Sequence, residues 1–348
     1  MKKDELKQNV KSYAQKFEDG GLRLLKKGQK GVIHAIFSRF GLVLLLLLLQ
    51  VGLLVSIFRW FGNLLPHYFG GSVVVTAAMV LYLLNSKMDN SAKITWMVVI
   101  AIFPVVGVPL FFYVKSNFGH NILCKRLLEL EDVLRTQLPQ NQSVVQKLEA
   151  SEPGAASLAT YLYGRGGGFP VYENTVMTYF PSGEAKFEEL LRQLETAEKY
   201  IFVEYFIIDE GLFWGRVLEV LARKAAAGVD VRVMYDGTCE FSTLPRDYPR
   251  RLEALGIRCK VFSPVQPFVS THYNYRDHRK ILVIDGRVGF TGGVNLADEY
   301  INHIQKHGRW KDAAVMLEGE AVRSLTAQFL QMWGILKEPE YEQFLTRP

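Results

Sequence analysis

Three long apolar segments occupy the first third of the chain and limit what it can fold into. Residues 40–58 contain an unbroken run of leucines, and residues 64–84 and 94–114 follow at short intervals. Each segment is close to the roughly 20 residues that a helix needs to cross a bilayer. The prolines and glycine of the third segment are tolerated in membrane helices. We therefore predict a membrane anchor of two or three transmembrane helices over residues 40–118, in a multi-pass protein of the cell membrane.

The basic charge of the chain is concentrated ahead of these segments. The net charge is +6, and the first 40 residues hold ten Lys and Arg against four Asp and Glu, a surplus equal to that of the whole chain. The remainder has no basic excess, which argues against a nucleic-acid partner. The basic tail, residues 1–39, can contact anionic lipid headgroups, although the excess of Lys and Arg usual in cytoplasmic loops explains it more simply. If all three segments cross, the same rule places the 85–93 loop in the cytoplasm and the following domain outside.

The remainder of the chain has the pattern of a soluble α/β domain. Residues 119–170 form a mixed connector, and from residue 171 to 348 short apolar strands alternate with amphipathic helices. This alternation is typical of a layered sheet flanked by helices. The predicted helices lie at 127–138, 187–197, 212–227 and 249–255, and the predicted strands at 200–208, 231–235, 257–262, 281–284, 288–290 and 313–317.

One stretch, residues 274–295, carries the residues most suited to chemistry. His278 and Lys280 are two positions apart, so both point to the same face of a strand, and Asn295 follows the pair Gly292-Gly293. An imidazole can attack phosphorus or protonate a leaving oxygen. A lysine and an amide beside it can hold phosphate oxygens and stabilise developing charge. Because Lys280 supplies the positive charge, we expect neither a metal nor another cofactor. The three cysteines have no metal-site spacing.

The string HxKxxxxD with a downstream GGxN resembles the signature of the phospholipase D superfamily. The flanking sequence is similar to bacterial cardiolipin synthases, and the similarity covers roughly residues 70–348. Its matching stretches are 197–208, 226–237, 274–280, 292–300, 310–322 and 329–333, and residues 85–113 fit the paired membrane helices of that family. The resemblance implies a phospholipase D-like fold, in which residues 171–348 form the first catalytic half. The first 70 residues are an extension beyond the short form of the family.

The resemblance also implies an activity and its residues. Cardiolipin synthases of this type transfer a phosphatidyl group between two phosphatidylglycerols through a covalent phosphohistidine and release glycerol. His278, Lys280 and Asp285 would form the catalytic motif, with His278 as the nucleophile or the general acid. Lys280 and Asn295 would bind the phosphate, and we expect Asp285 to be a structural partner rather than a reacting group. The expected partners are phosphatidylglycerol and anionic membrane lipids.

Two acidic residues are further candidates near the site. Asp312 begins the predicted strand at 313–317, where a carboxylate of the superfamily bonds the catalytic histidine, so we expect Asp312 to orient His278. The alternative is that Asp312 only caps the strand. Glu204 faces out of an otherwise apolar strand, and it either lies near the site or makes a structural hydrogen bond.

The sequence departs from the family in carrying a single His-x-Lys pair. Cardiolipin synthases have two such motifs that build one active site, whereas none of the other six histidines here is followed two positions later by a lysine. Three explanations remain open. The chain is a fragment of a longer protein, or it forms a homodimer, or it is an inactive partner. Two other functions also stay open: a phospholipase D-like phosphodiesterase that uses water as the acceptor, and a non-catalytic half-domain membrane protein.

Overall fold

The computed structural model describes residues 65–115, 118–263, 276–306, 308–335 and 339–345, together with residues 15–16, 22–23, 48, 51–52 and 55–56. Most of the first apolar segment and most of the predicted basic tail therefore lie outside the described residues. Within the tail, strands β1 (Gln15–Lys16) and β2 (Leu22–Arg23) form a short antiparallel pair. The chain divides into two compact units, one built around residues 30–120 and one around residues 121–348.

The first unit contains three apolar helices, α1 (Leu65–Asn85), α2 (Asn90–Ile102) and α3 (Pro104–Lys115). Asp89 caps α2, because its carboxylate accepts hydrogen bonds from the backbone N–H groups of Ser91 and Ala92. The small core of this unit consists of Met79, Leu83, Ile100 and Phe111.

The prediction of one continuous helix over residues 94–114 is wrong. Helix α2 ends at Ile102 and α3 begins at Pro104, with Phe103 between them in a non-helical conformation. Proline has no backbone N–H and disfavours the helical conformation in the residue before it, so the break falls at Phe103. In the part of the chain that the structure describes, no helix has both the length and the apolar character needed to cross a membrane.

The second unit begins with three helices where a mixed connector was predicted. These are α4 (Phe118–Gln137), α5 (Gln142–Ser151) and α6 (Pro153–Arg165). The predicted helix at 127–138 is the second half of α4. Asn141 caps α5 through a hydrogen bond from the backbone N–H of Ser143 to its side-chain oxygen. Leu134 and Leu138 are buried in the apolar core on one face of the sheet. The end of α4 therefore packs as part of this unit and is not a separate linker.

A seven-stranded mixed sheet forms the centre of the second unit, in the order β3-β9-β8-β7-β4-β5-β6. The pairs β4–β5 and β5–β6 are parallel, and the others are antiparallel. The strands are β3 (Thr175–Phe180), β4 (Tyr200–Tyr205), β5 (Asp230–Asp236), β6 (Arg258–Phe262), β7 (Ile281–Ile284), β8 (Val288–Gly292) and β9 (Ala314–Gly319). The predicted α/β layered sheet is confirmed. Strand β3 was missed, because Val176 and Met177 are both exposed and break the expected apolar–polar alternation.

Helices cover both faces of this sheet. Helices α7 (Gly183–Leu194) and α8 (Leu212–Ala226) contribute Leu190, Leu194 and Trp214, among others, to the core on one face. On the other face, Phe329 stacks on Phe202 with ring centroids 4.5 Å apart. The remaining elements are α9 (Cys239–Ser242), α10 (Tyr248–Glu253), a 3₁₀ helix (Asp298–Ile301), α11 (Val322–Trp333), which carries Phe329, and α12 (Tyr341–Phe344). Side chains alternate between the two faces along β4, and this alternation decides to which face Glu204 points.

Candidate active site

The segment 276–280 leads directly into β7 and places His278 and Lys280 side by side. Lys280 is buried, and its Nζ donates a hydrogen bond to the carbonyl oxygen of His278 at 2.7 Å. The His278 side chain is exposed, with its ring centroid 4.7 Å from that of Phe206. Lys280 Nζ lies 5.2 Å from the centre of the same Phe206 ring. The result is an imidazole open to substrate next to a buried ammonium group.

Burial changes the acidity of Lys280. It lowers the pKa of the amine to about 8, while the negative charges of Asp277 and Asp312 oppose this shift. The group therefore still carries a proton in most molecules at neutral pH. A partly desolvated cation interacts more strongly with a phosphate than a fully hydrated one.

Asn295 is anchored at the carboxyl end of β4. It is buried, and its Oδ1 accepts a hydrogen bond from the backbone N–H of Ile207 at 3.0 Å. Ile207 follows Phe206, the residue that contacts both His278 and Lys280. Burial raises the pKa of Tyr300, and a hydrogen bond to Asn295 partly offsets that shift. The three residues expected to contact the phosphate therefore converge on residues 206–207.

Asp312 lies two residues before β9 and packs against the backbone of Gly293. A Cβ atom at Gly293 would come within 1.9 Å of Asp312 Oδ1, so only glycine permits this approach. In the described residues the carboxylate accepts hydrogen bonds from Ala313 N–H at 2.8 Å and from the indole of Trp310 at 3.5 Å, and neither bond reaches His278. Asp312 nevertheless acts electrostatically on the amine of Lys280. Its orienting role toward His278 stays a prediction.

Asp285 is at the opposite end of β7 from Lys280. The five-residue separation corresponds to about 16 Å along a strand. Its carboxylate accepts hydrogen bonds from the N–H groups of Glu198, Lys199 and Tyr200, at 2.9, 2.8 and 2.8 Å. Asp285 thus ties the turn after β7 to the start of β4, and the structure does not bring it to His278 and Lys280.

Glu204 is fully buried on β4 and belongs to a charged cluster that flanks His278. Arg279 Nη2 lies 2.7 Å from Glu204 Oε1, and Arg279 Nε donates to Asp277 Oδ1 at 3.0 Å. Burial raises the pKa of Glu204 well above its ordinary value, although Arg279 opposes the shift. Burial also favours a higher pKa for Asp277, but the hydrogen bond with Glu204 and the charge of Arg279 together lower it.

This cluster fixes the backbone on both sides of the imidazole. Burial raises the pKa of Glu204, and the neighbouring Asp277 carboxylate raises it further, so the folded protein favours the protonated form of Glu204. Asp277 also donates its backbone N–H to Asp236 Oδ2 at 2.9 Å, and Asp236 is buried on β5. His278 therefore stands between two residues, Asp277 and Arg279, that are both tied to the sheet. Glu204 makes a structural bond and lies next to the site at the same time.

Lys186 is a site residue that the sequence analysis missed. It is fully buried on α7, and its Nζ donates to the Tyr205 hydroxyl at 3.1 Å and to the Val294 carbonyl at 3.2 Å. Burial lowers the pKa of its amine to about 7, while Asp312 opposes this shift and Lys280 reinforces it. A signal was present in the sequence, since Lys186 shares the apolar helical face of Leu190 and Leu194, at spacings of four and eight.

Comparison with known proteins identifies the domain that contains these residues. Residues 190–333 match the family model described as "Cardiolipin synthase, PLD-like domain". Residues 190–333 therefore belong to the phospholipase D-like domain family of cardiolipin synthases. It is 32% identical over 294 residues to the cardiolipin synthase of Geobacillus kaustophilus, covering 83% of this chain and 58% of that protein. The cardiolipin synthase of Halalkalibacterium halodurans is 31% identical over 304 residues, covering 85% and 59%.

A third relative is more similar in sequence. An uncharacterized protein of Streptococcus mutans is 54% identical over 269 residues, covering 77% of this chain and 58% of that protein. The chain thus spans slightly less than three fifths of the length of each of these three relatives. The matched family domain includes His278, Lys280, Asp285, Asn295 and Asp312, and it also includes Glu204.

Proposed function

We propose that this chain supplies one half of the active site of a cardiolipin synthase-type phosphatidyltransferase. The enzyme would transfer a phosphatidyl group from one phosphatidylglycerol to a second one and release glycerol. The observation that carries the proposal is the exposed imidazole of His278 next to the buried ammonium of Lys280, with Asn295 anchored beside Phe206. The cardiolipin synthases among the relatives support the choice of phospholipid as the substrate class.

The reaction would proceed in two displacements at phosphorus. In the first, the imidazole of His278 forms an N–P bond while the P–O bond to glycerol breaks, and the departing oxygen takes a proton from an acid on the opposite side. In the second, the glycerol hydroxyl of another phosphatidylglycerol attacks phosphorus, gives its proton to that same group, and the N–P bond breaks. Lys280 and Asn295 hold the non-bridging oxygens, and Asp312 orients His278. No step requires a metal.

A second proton-handling group completes this site in the proposal. In-line displacement places the attacking and leaving groups on opposite sides of the phosphorus, and a positioned acid or base contributes roughly 10²–10⁴ in rate. One His-x-Lys pair supplies one side. The other pair would come from the second half of a longer protein or from a second copy of this chain.

The site would work at a membrane, with residues 40–118 as the anchor. The support is chemical, because the described helices α1, α2 and α3 expose many large apolar side chains, including Val73, Val74 and Ile94. Such a surface matches the acyl chains of phosphatidylglycerol and other membrane lipids. Nucleic acid is not among the proposed partners.

The test measures lipid products after the reconstituted chain is incubated with labelled phosphatidylglycerol over a range of protein concentrations. Cardiolipin and glycerol are expected, and His278→Ala should remove them, whereas replacement of the exposed His303 by alanine should not. Phosphatidic acid in place of cardiolipin indicates the phosphodiesterase alternative, which the solvent exposure of His278 would permit. Near-normal turnover in His278→Ala contradicts the assignment.

The same assay separates the two sources of the second motif. A specific activity that rises steeply with protein concentration indicates a second copy. Activity that appears only when the remaining part of a longer relative is added indicates a two-half protein. Constant specific activity from a verified monomer would show that one motif is enough and that the two-half proposal is wrong.

A further inference from the structure

Helices α2 and α3 form a tight antiparallel hairpin. A Cβ atom at Gly107 would lie 3.1 Å from Ile100 Cα, so the two backbones approach closely at this point. Further along, the rings of Trp96 and Phe111 meet edge to face, with centroids 5.3 Å apart. As the chain advances along α3 it meets progressively earlier residues of α2. The segment therefore returns toward the end at which it began.

Both ends of the hairpin contact the last turns of α1. Lys93 Nζ, near the start of α2, donates to the Leu84 carbonyl at 3.3 Å. Lys115, at the end of α3, hydrogen-bonds to the hydroxyl of Tyr82, and its Nζ lies 4.7 Å from the centre of that ring. A shallow pocket at this end is lined by Tyr82, Asn85, Ser86, Lys87, Met88 and Lys115. The two ends thus share one polar rim with three lysines.

Between these lysines the hairpin has no charged residue. The side chains of residues 94–114 are apolar apart from polar atoms of Thr95, Trp96 and Tyr113. Ile94 and Ile102 are 63% and 60% exposed. Helices of 13 and 12 residues are about 20 and 18 Å long at 1.5 Å per residue. The hydrocarbon core of a bilayer is about 30 Å thick, so each arm reaches a little beyond its middle.

We propose that α2 and α3 form a re-entrant hairpin that inserts the Phe103 turn into the acyl chains and returns to the side of entry. The partner is one leaflet of a lipid bilayer, and the lysines of the rim, Lys87, Lys93 and Lys115, lie among its phosphate groups. Charge complementarity supports this occupant, because the rim is cationic and membrane phosphates are anionic. This proposal depends on the membrane anchor proposed above, and it specifies how α2 and α3 insert into the bilayer.

The proposal changes the expected topology. A single crossing helix over residues 94–114 would put the chain that follows Lys115 on the opposite side from the 85–93 loop. A hairpin puts it on the same side. The rule that lysine-rich loops are cytoplasmic then assigns that chain to the cytoplasmic side instead of the outside.

The test compares thiol accessibility at the two ends of the hairpin in cells that express the full chain. Ser91→Cys and Val114→Cys lie at exposed positions of α2 and α3, and a membrane-impermeant maleimide is applied before and after the membrane is opened. Peptide mass mapping separates the new labels from those on Cys124, Cys239 and Cys259. Both sites should become labelled under the same condition. Ile102→Cys, at the tip, should resist labelling and carry a fluorophore that brominated acyl chains quench.

Flotation of the same membranes serves as the control for the anchor. If the chain floats with lipid but the Ser91 and Val114 positions react from opposite sides, the hairpin is wrong and the anchor stands. If the chain does not float, the anchor fails and the hairpin with it. If both ends react together but the probe at position 102 is not quenched by lipid, the hairpin faces a protein or water and the proposal is overturned.

Discussion

The ammonium group of Lys186 donates a hydrogen bond to the carbonyl oxygen of Val294, at 3.2 Å, one residue before Asn295. This bond connects the buried face of α7 to the segment that carries the phosphate-binding amide. Lys186 also lies close enough to Lys280 and Asp312 for both to alter its pKa. Asp312 therefore acts on both buried lysines. Lys280 remains mostly protonated at neutral pH and supplies positive charge that suits the binding of a phosphate.

We expect Lys186→Met to lower phosphatidyl transfer at least tenfold, mainly through kcat. The substitution removes the hydrogen bond to the Val294 carbonyl that positions Asn295, and it removes a titratable amine next to the site. Lys199→Met removes an exposed lysine of the same unit and is the matched control. The stability of the two variants should also differ in pH dependence. Burial lowers the pKa of Lys186 from 10.5 to about 7, so between these values the unfolded chain binds more protons, and stability rises with pH.

This rise should be smaller in Lys186→Met than in the control, as measured by thermal unfolding between pH 7 and 10. Lys280 contributes a similar rise in both proteins, so the comparison isolates Lys186. An identical pH dependence in the two variants would mean that the Lys186 amine is not held in its desolvated position. Unchanged transfer in a folded Lys186→Met protein would remove Lys186 from the site.

Lys280 should set the alkaline limit of the reaction. Its pKa is lowered to about 8, chiefly by burial, and only the charged form stabilises the phosphate. The rate should therefore fall as the pH rises through that value. Lys280→Arg keeps its charge at every accessible pH, and although the new geometry lowers the maximal rate, its alkaline limb should shift upward by more than one pH unit. Lys280→Ala should lose roughly 10²–10³ in kcat below pH 8, and the deficit should shrink at higher pH as the unmodified amine loses its charge. An alkaline limb at the same pH in Lys280→Arg would assign the titration to another group.

Asp285 should affect stability rather than chemistry. Its carboxylate accepts three backbone hydrogen bonds from residues 198–200, and two of the three donor residues are exposed, so water can replace part of the loss. We expect Asp285→Ala to lower the free energy of unfolding by about 1–3 kcal/mol. Asp285→Asn should be milder, since asparagine keeps an acceptor and tolerates the positive φ of 53° found there. Chemical denaturation measures the loss. A large fall in kcat of the folded protein would instead place Asp285 in the reaction.

The sequence predicted which residues belong to the site better than it predicted the contacts between them. The prediction that His278 and Lys280 lie on a strand is wrong, because both precede β7. Their proximity in sequence still brings them together, and the layered sheet follows from local periodicity. The partners of Glu204 could not be predicted, because Asp277 and Arg279 lie more than 70 residues away and meet it only through the pairing of β4 with β7. The apolar segment 94–114 was mistaken for one helix because hydropathy was given more weight than the effect of Pro104 on Phe103.

Glu204 offers a test of the cluster that flanks His278. Burial raises its pKa well above the ordinary value, so the folded protein favours the protonated acid. Such a group contributes stability below its unfolded pKa, near 4.5, and this contribution is lost as the pH rises toward the folded pKa. Glu204→Gln imitates the protonated acid in shape and keeps a donor for Asp277. We therefore expect this variant to gain stability relative to the unmodified protein as the pH increases above about 4.5.

Asp277→Asn should show the opposite trend, because the lowered pKa of Asp277 gives stability that is present above its unfolded pKa and lost on acidification. Thermal unfolding between pH 2 and 8 measures both differences, with the Asp277 effect on the acid side of its ordinary pKa of 3.8 and the Glu204 effect above 4.5. If Glu204→Gln loses stability relative to the unmodified protein as the pH increases, Glu204 is ionised in the folded state, and burial does not raise its pKa.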